Sequence, residues 1–207
     1  MNHPRIVRLI TALFFTGIMI LQCSDKKQGP AVGPSDFPWG TGQDQTISKL
    51  SAQGWVLEDQ SAEKAELSFP VAEDAKIKDS KLFSEAEEPS EPFTVELFFK
   101  DGKLTIVTIK RRDTTDKIDD FLKSIYADYD IEPSSDTVAR KDTTDTGNVI
   151  TSSQQISESP EYVLKLNRTS IEPSEEKMKG GLNDQVEIQV FPKSYNEGIS
   201  AEALKQN

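Results

Sequence analysis

Apolar and polar positions alternate with a period of two on both sides of Asp101-Gly102, from Phe93 to Ile109. Glycine supplies the positive φ that a tight hairpin turn demands, so this pattern predicts two antiparallel strands joined there. Counting outward from the turn pairs Phe99 with Leu104, Leu97 with Ile106 and Val95 with Thr108 on the face expected to be buried. Immediately afterwards the period changes. Ile118, Phe121, Leu122, Ile125 and Tyr129 fall at offsets 0, 3, 4, 7 and 11, one continuous stripe of a helix over 114–129. Asp113 or Thr114 can cap its first turn, and Asp116 complements the positive end of its dipole. A helix directly following a hairpin is expected to lie on the sheet that the hairpin begins.

Weaker patterns fill in the rest. Ile47 and Leu50 predict a short helix over 45–53, ended by Gly54. Trp55-Val56-Leu57 and residues 65–71 read as strands, with Leu67 and Phe69 alternating against polar neighbours. The Lys- and Glu-rich stretch 72–92 predicts a loop with a brief edge strand around Ile77 and Lys81-Leu82-Phe83. Residues 131–160 are rich in Ser, Thr and Asp and read mostly as loop, with Val138 and Val149-Ile150 the only strand seeds. Tyr162 to Leu166, and Val186, Ile188 and Val190, give two more strands, separated by a polar loop over 167–185. Beyond Pro192 the tail, 196–207 above all, is expected to be frayed or weakly helical.

These elements specify an α+β fold, an antiparallel β-sheet with one or two helices on one face. The order of elements over 46–112 recurs over 113–193. Ile47 and Leu50 fall opposite Ile118 and Phe121, Trp55 opposite Tyr129, 93–95 opposite 163–165, and 104–106 opposite 186–188. No run of identities accompanies the match, so an internal duplication and an unrelated alternation both fit it.

Ahead of the domain, Arg5 and Arg8 precede 13 uncharged residues, 9–21, that end near the only cysteine, Cys23. At ~1.5 Å per residue that run makes roughly 20 Å of helix, short of the ~30 Å needed to span a bilayer. It has the layout of a removable export signal. With Ile20-Leu21-Gln22-Cys23 at its end, the segment resembles the signal and lipobox of a bacterial lipoprotein of the spirochaetal type, in which the residue before the cysteine is less strictly small. The resemblance covers residues 1–23 and implies removal of 1–22, a diacylglycerol thioether on Cys23 and an acyl chain on its new amino group. Several chains anchor permanently where one holds only marginally. Residues 23–45, poor in apolar side chains, then read as a flexible tether of roughly 25 Å reach before a domain over 46–195. Phe37 and Trp39 are the exceptions in it and are expected to fold back over the domain's edge.

Without 1–22 the chain holds 22 basic and 35 acidic residues, a net charge of −13. That charge repels phosphate backbones and argues against nucleic acid as a partner. The single histidine, His3, lies in the signal. The remainder therefore offers no Ser-His or Cys-His nucleophile and no zinc site built from those ligands, and no cofactor is implied.

One basic triplet, Lys110-Arg111-Arg112, precedes the helix over 114–129, where backbone N–H groups favour anions, and Arg111 and Arg112 are the candidate anion site. Asp113, Asp116 and the acidic stretch 85–91 compete for the same charges. Asp128 to Glu132 and Asp142 to Asp145 invite a calcium reading, but an EF-hand loop counted from Asp128 would need glycine where Pro133 stands and glutamate where Ala139 stands. Asn167-Arg168-Thr169 has the form of a glycosylation acceptor and carries little meaning in a bacterial envelope.

The sequence thus leads to a non-enzymatic, lipid-anchored envelope protein, on the outer membrane ahead of the inner, that binds or supports another protein or envelope component. Two alternatives stand beside it. One is a periplasmic hydrolase using carboxylates, which an enclosed pocket with converging, perturbed carboxylates would favour. The other is an accessory subunit of an outer-membrane assembly complex. An apolar patch on the sheet or along an edge strand would favour the binding roles.

Overall fold

A computed structural model describes residues 30–70, 93–174 and 184–205. The elements run α1 (Gln43–Ala52), β1 (Val56–Gln60), β2 (Lys64–Phe69), β3 (Phe93–Lys100), β4 (Lys103–Asp113), α2 (Thr115–Asp128), β5 (Thr137–Thr143), β6 (Val149–Glu158), β7 (Tyr162–Glu172), β8 (Asp184–Pro192) and α3 (Ala201–Lys205). The eight strands form one antiparallel sheet in the order β1-β2-β3-β4-β8-β7-β6-β5. Its two central strands, β4 and β8, each close a run of one helix and four strands, so the order reads the same inward from either edge.

Both long helices end alike. Gly54 and Asp130 take positive φ, 100° and 51°. The next residue, Trp55 or Ile131, returns its N–H to the carbonyl five residues back, at 3.2 and 3.0 Å. This is a Schellman closure in which the residue after the left-handed one drops into the core. Trp55 therefore corresponds to Ile131, and not to Tyr129 as the apolar pattern suggests, because helix termination sets the register and side-chain type does not.

Residues of α1 and α2 join one core with the sheet face beneath them, and the expected stripe of α2 is buried from Ile118 to Tyr129. The hairpin keeps its turn at Asp101-Gly102, with φ of 52° and 70°. Its register differs from the expected one. Phe99 faces Leu104, but a bulge at Thr105 then sets Phe98 against Ile106, Leu97 against Val107 and Val95 against Ile109. Val107 and Ile109 thus lie in the core, whereas Ile106 and Thr108 lie on the other face. The physical reason is at Leu104, whose N–H and C=O bond to Thr41 and Gly40 at 2.9 Å each, so the incoming segment occupies the flank of β4 before β8 begins to pair there at Val107.

That segment corrects the tether boundary. Among residues 30–42, Val32 and Phe37 are buried, Trp39 packs against the core, and the Tyr129 hydroxyl donates to the Val32 carbonyl at 3.0 Å. Gly40, at φ 73°, lies so close to the Tyr195 ring that a Cβ there would come within 2.6 Å of it. The far end folds back as well. Ile199, Ala201 and Leu204 pack on Ile156, Val163 and Phe191, and the α3 N–H of Ala201 donates to Glu158 at 3.1 Å, so the tail covers one corner of the face opposite the helices.

The Ser- and Thr-rich stretch read as loop contains β5 and β6, and β7 continues through Asn167 to Glu172. β5 is exposed along its whole length, with no core beneath it to impose alternation, and β6 is buried only at Ile156 and Ser157, so backbone ladders hold most of this stretch. The edge strand expected near Ile77 lies outside the described residues.

Candidate functional site

Strand alternation separates the two arginines of the candidate anion site. Arg111 points to the helix side with Val186, and Arg112 to the open side with Gln185, so they do not converge on one ligand. Arg111 is instead built into the fold. Its guanidinium lies 4.7 and 5.0 Å from the ring centres of Phe93 and Phe121 and donates to Asp113 at 2.7 Å. Asp113 also accepts the Thr114 N–H at 2.8 Å and meets Lys117 at 3.3 Å, while the Thr114 side chain makes no cap bond. In the same row as Arg111, across Val186 of β8, Arg168 binds Asp184 and reaches Asp119 of α2 at 2.7 Å. Asp184 is 1 % exposed.

These carboxylates converge, yet each is held by a cation. Burial by itself would raise the Asp113 carboxyl, but hydrogen bonds from Arg111 and Thr114 and the charges of Arg111 and Lys117 hold it below the usual carboxylate range. Burial works against the Arg168 cation too, and its bonds to Asp184 and Asp119 outweigh that and raise it. A depressed carboxyl stabilises the fold above its unfolded value, and that contribution is lost as pH falls through the folded one. Stability is therefore expected to drop as pH goes below about 4, and Asp113→Asn to flatten that limb of a urea-midpoint profile against pH.

At the other end of α2 a hollow of about 200 Å³ is lined by Tyr129, Asp130, Ser159, Pro160 and Glu161. That is below the roughly 300–1,000 Å³ of ordinary ligand clefts. Burial pushes the Tyr129 hydroxyl well up, and its proton goes to Val32. The converging carboxylates and the hollow are thus at different places. Among the described residues no group of three or more carboxylate, histidine or cysteine ligands gathers around a metal position, Asp128 to Glu132 included. Asn167 sits within β7 and accepts from Gln154 at 3.1 Å. Cys23 lies outside the described residues.

Among the described residues neither long helix packs on the middle of the second face of the sheet. One row across it reads Glu66, Glu96, Thr108, Gln189, Lys165 and Ile156. At one side Glu96 is pinned by Lys64 at 2.6 Å and Lys110 at 3.1 Å. At the centre the pairing stops. The Thr108 hydroxyl, on a residue 1 % exposed, has no hydrogen-bond partner, and neither half-buried Lys165 nor Glu187 has an ion-pair partner among the described residues. Thr108 is buried beneath its neighbours, so the groups of this row that a partner can reach are Gln189, Lys165 and Glu187. Alternation in β8 could have exposed Glu187 and Gln189 to sequence reasoning, but Thr108 could not be found that way, because the bulge moves it from the expected core face.

Three of the four exposed large apolar side chains among the described residues lie on the two outermost strands: Val56 and Leu57 on β1 and Val138 on β5. No helix among the described residues is long and apolar enough to cross a membrane. Comparison with known proteins finds no family model that matches this chain, and no curated protein or solved structure with significant similarity to it.

Proposed function

We propose that this chain is a lipid-anchored envelope protein that acts as a non-enzymatic binding module, with the open face of its sheet as the contact surface. The observation that carries the reading is the centre of that face, where Lys165 and Glu187 lack ion-pair partners among the described residues beside Gln189, while Glu96 to one side is held by Lys64 and Lys110. Lys110, Arg112 and Lys165 and the carboxylates Glu96 and Glu187 stand on this face of the four central strands, in a chain of strongly acidic balance. Charges spread over four strands suit a protein surface better than a small molecule. The resemblance around Cys23 supports the anchor, and seven residues from Cys23 to Pro30 reach at most about 25 Å, which keeps the domain near the lipid surface.

Two measurements test this. Metabolic labelling with a palmitate analogue is expected to mark the wild type and to miss Cys23→Ser; an unmarked wild type overturns the anchor. Affinity purification of the native lipoprotein is expected to recover a component that binds Lys165→Glu at least about tenfold more weakly, with an unchanged melting temperature. Equal recovery by both proteins overturns the open face as the contact surface.

A further inference from the structure

The two outer strands occupy corresponding places in the two runs of elements, yet they are finished differently. β1 has five residues, a bulge between Leu57 and Asp59, and a Glu58 side chain turned back to Ser68. A short, bulged, acidic edge resists pairing. β5 is longer, has no bulge, and its charged side chains are Arg140, Lys141 and Asp142. Its seven residues pair with β6 in unbroken register from Thr137 opposite Gln155 to Thr143 opposite Val149, and all seven are exposed. Val138, 77 % exposed, is the most exposed large apolar side chain among the described residues. As the last strand of the sheet among the described residues, β5 also presents a row of outward N–H and C=O groups with no described strand beyond it.

We propose that β5 takes up an extended segment of a partner protein by strand addition, and that the segment is acidic. Main-chain hydrogen bonds would supply the affinity and side chains on alternate faces the selectivity. On the open side Val138 offers an apolar contact and Arg140 a cation already steered by Asp142 at 2.8 Å. On the helix side, next to Thr151, Lys141 has no ion-pair partner among the described residues. An acidic residue opposite Lys141 and an apolar one opposite Val138 complete both faces. A second copy of this chain fits less well. Antiparallel pairing of two β5 strands centred on Arg140 or on Lys141 sets that residue against its own counterpart, a like-charge pair that destabilises the contact, and β1 of a second copy brings its bulge.

The proposal rests on the binding reading only for the existence of a partner. Its test is a benzophenone side chain placed at position 138 of the full chain in its native cells, with position 56 on β1 as control. The expected result is an adduct to a different polypeptide, mapped to a stretch containing an acidic residue, absent from position 56. Reversing charge with Arg140→Glu and Lys141→Glu should reduce the 138 adduct about tenfold or more while the melting temperature holds, since both side chains are exposed. No adduct, an adduct only to a second copy, equal adducts from 56 and 138, or an adduct indifferent to charge reversal overturns it. Lys165→Glu in the same cells separates the two readings: a 138 adduct that survives this change and falls with the edge reversal leaves strand addition standing without the open face.

Discussion

Replacing Arg168 with leucine is expected to destabilise the fold by about 3–5 kcal/mol, because it strands a buried carboxylate without its counter-ion. Asp184 is 1 % exposed and accepts two hydrogen bonds from the Arg168 guanidinium, which also ties β7 to Asp119 on α2. The substitution removes the bond to the helix together with those to Asp184. Substituting Asp184→Leu as well removes the stranded charge, and the double variant should regain most of the lost stability, as buried pairs replaced by apolar groups often do. Urea denaturation of the three variants near pH 7 checks this. A cost below about 1 kcal/mol for Arg168→Leu would place the pair among surface ion pairs of little worth and remove the network as a structural element.

The second large effect separates two neighbouring residues of β4. Val107→Asp is expected to cost more than about 4 kcal/mol and to prevent folding at ordinary temperature, since it sets an unpaired carboxylate at a fully buried position between Leu97 and Val190. Ile106→Asp, half-buried under the C-terminal segment on the other face, should cost about 1–2 kcal/mol. The uninterrupted alternation read from the Asp101-Gly102 turn gives the opposite ranking. Melting temperatures of the two variants decide between the registers, and a folded Val107→Asp with an unfolded Ile106→Asp would rule out the bulge at Thr105.

That contrast shows where sequence reasoning stops. The amphipathic stripe from Ile118 to Tyr129, the hairpin turn and the antiparallel α+β class were legible because each is a local pattern repeated over many residues. The bulge left no such signature, because its cause is a contact between Leu104 and a segment more than 60 positions earlier. The same applies to β5, whose polar side chains reveal nothing when both faces are wet, to most of β6, whose side chains are polar apart from Val149, Ile150 and Ile156, and to the cluster around Asp113, where ion pairing joins residues as distant as Asp119 and Arg168.

The sequence by itself determined the types of the elements with an apolar pattern, the burial of one helix stripe, the absence of imidazole and thiol chemistry beyond Cys23, and the acidic balance of the domain. Those are properties of composition and short-range periodicity. Only the tertiary structure decided that Arg111 and Arg112 part to opposite faces, that Thr108 leaves the core, and that two corresponding edge strands end one blunted and the other open. Each depends on which strand lies beside which, and strand pairing is set by the summed burial and hydrogen bonding of the whole sheet rather than by any segment of it.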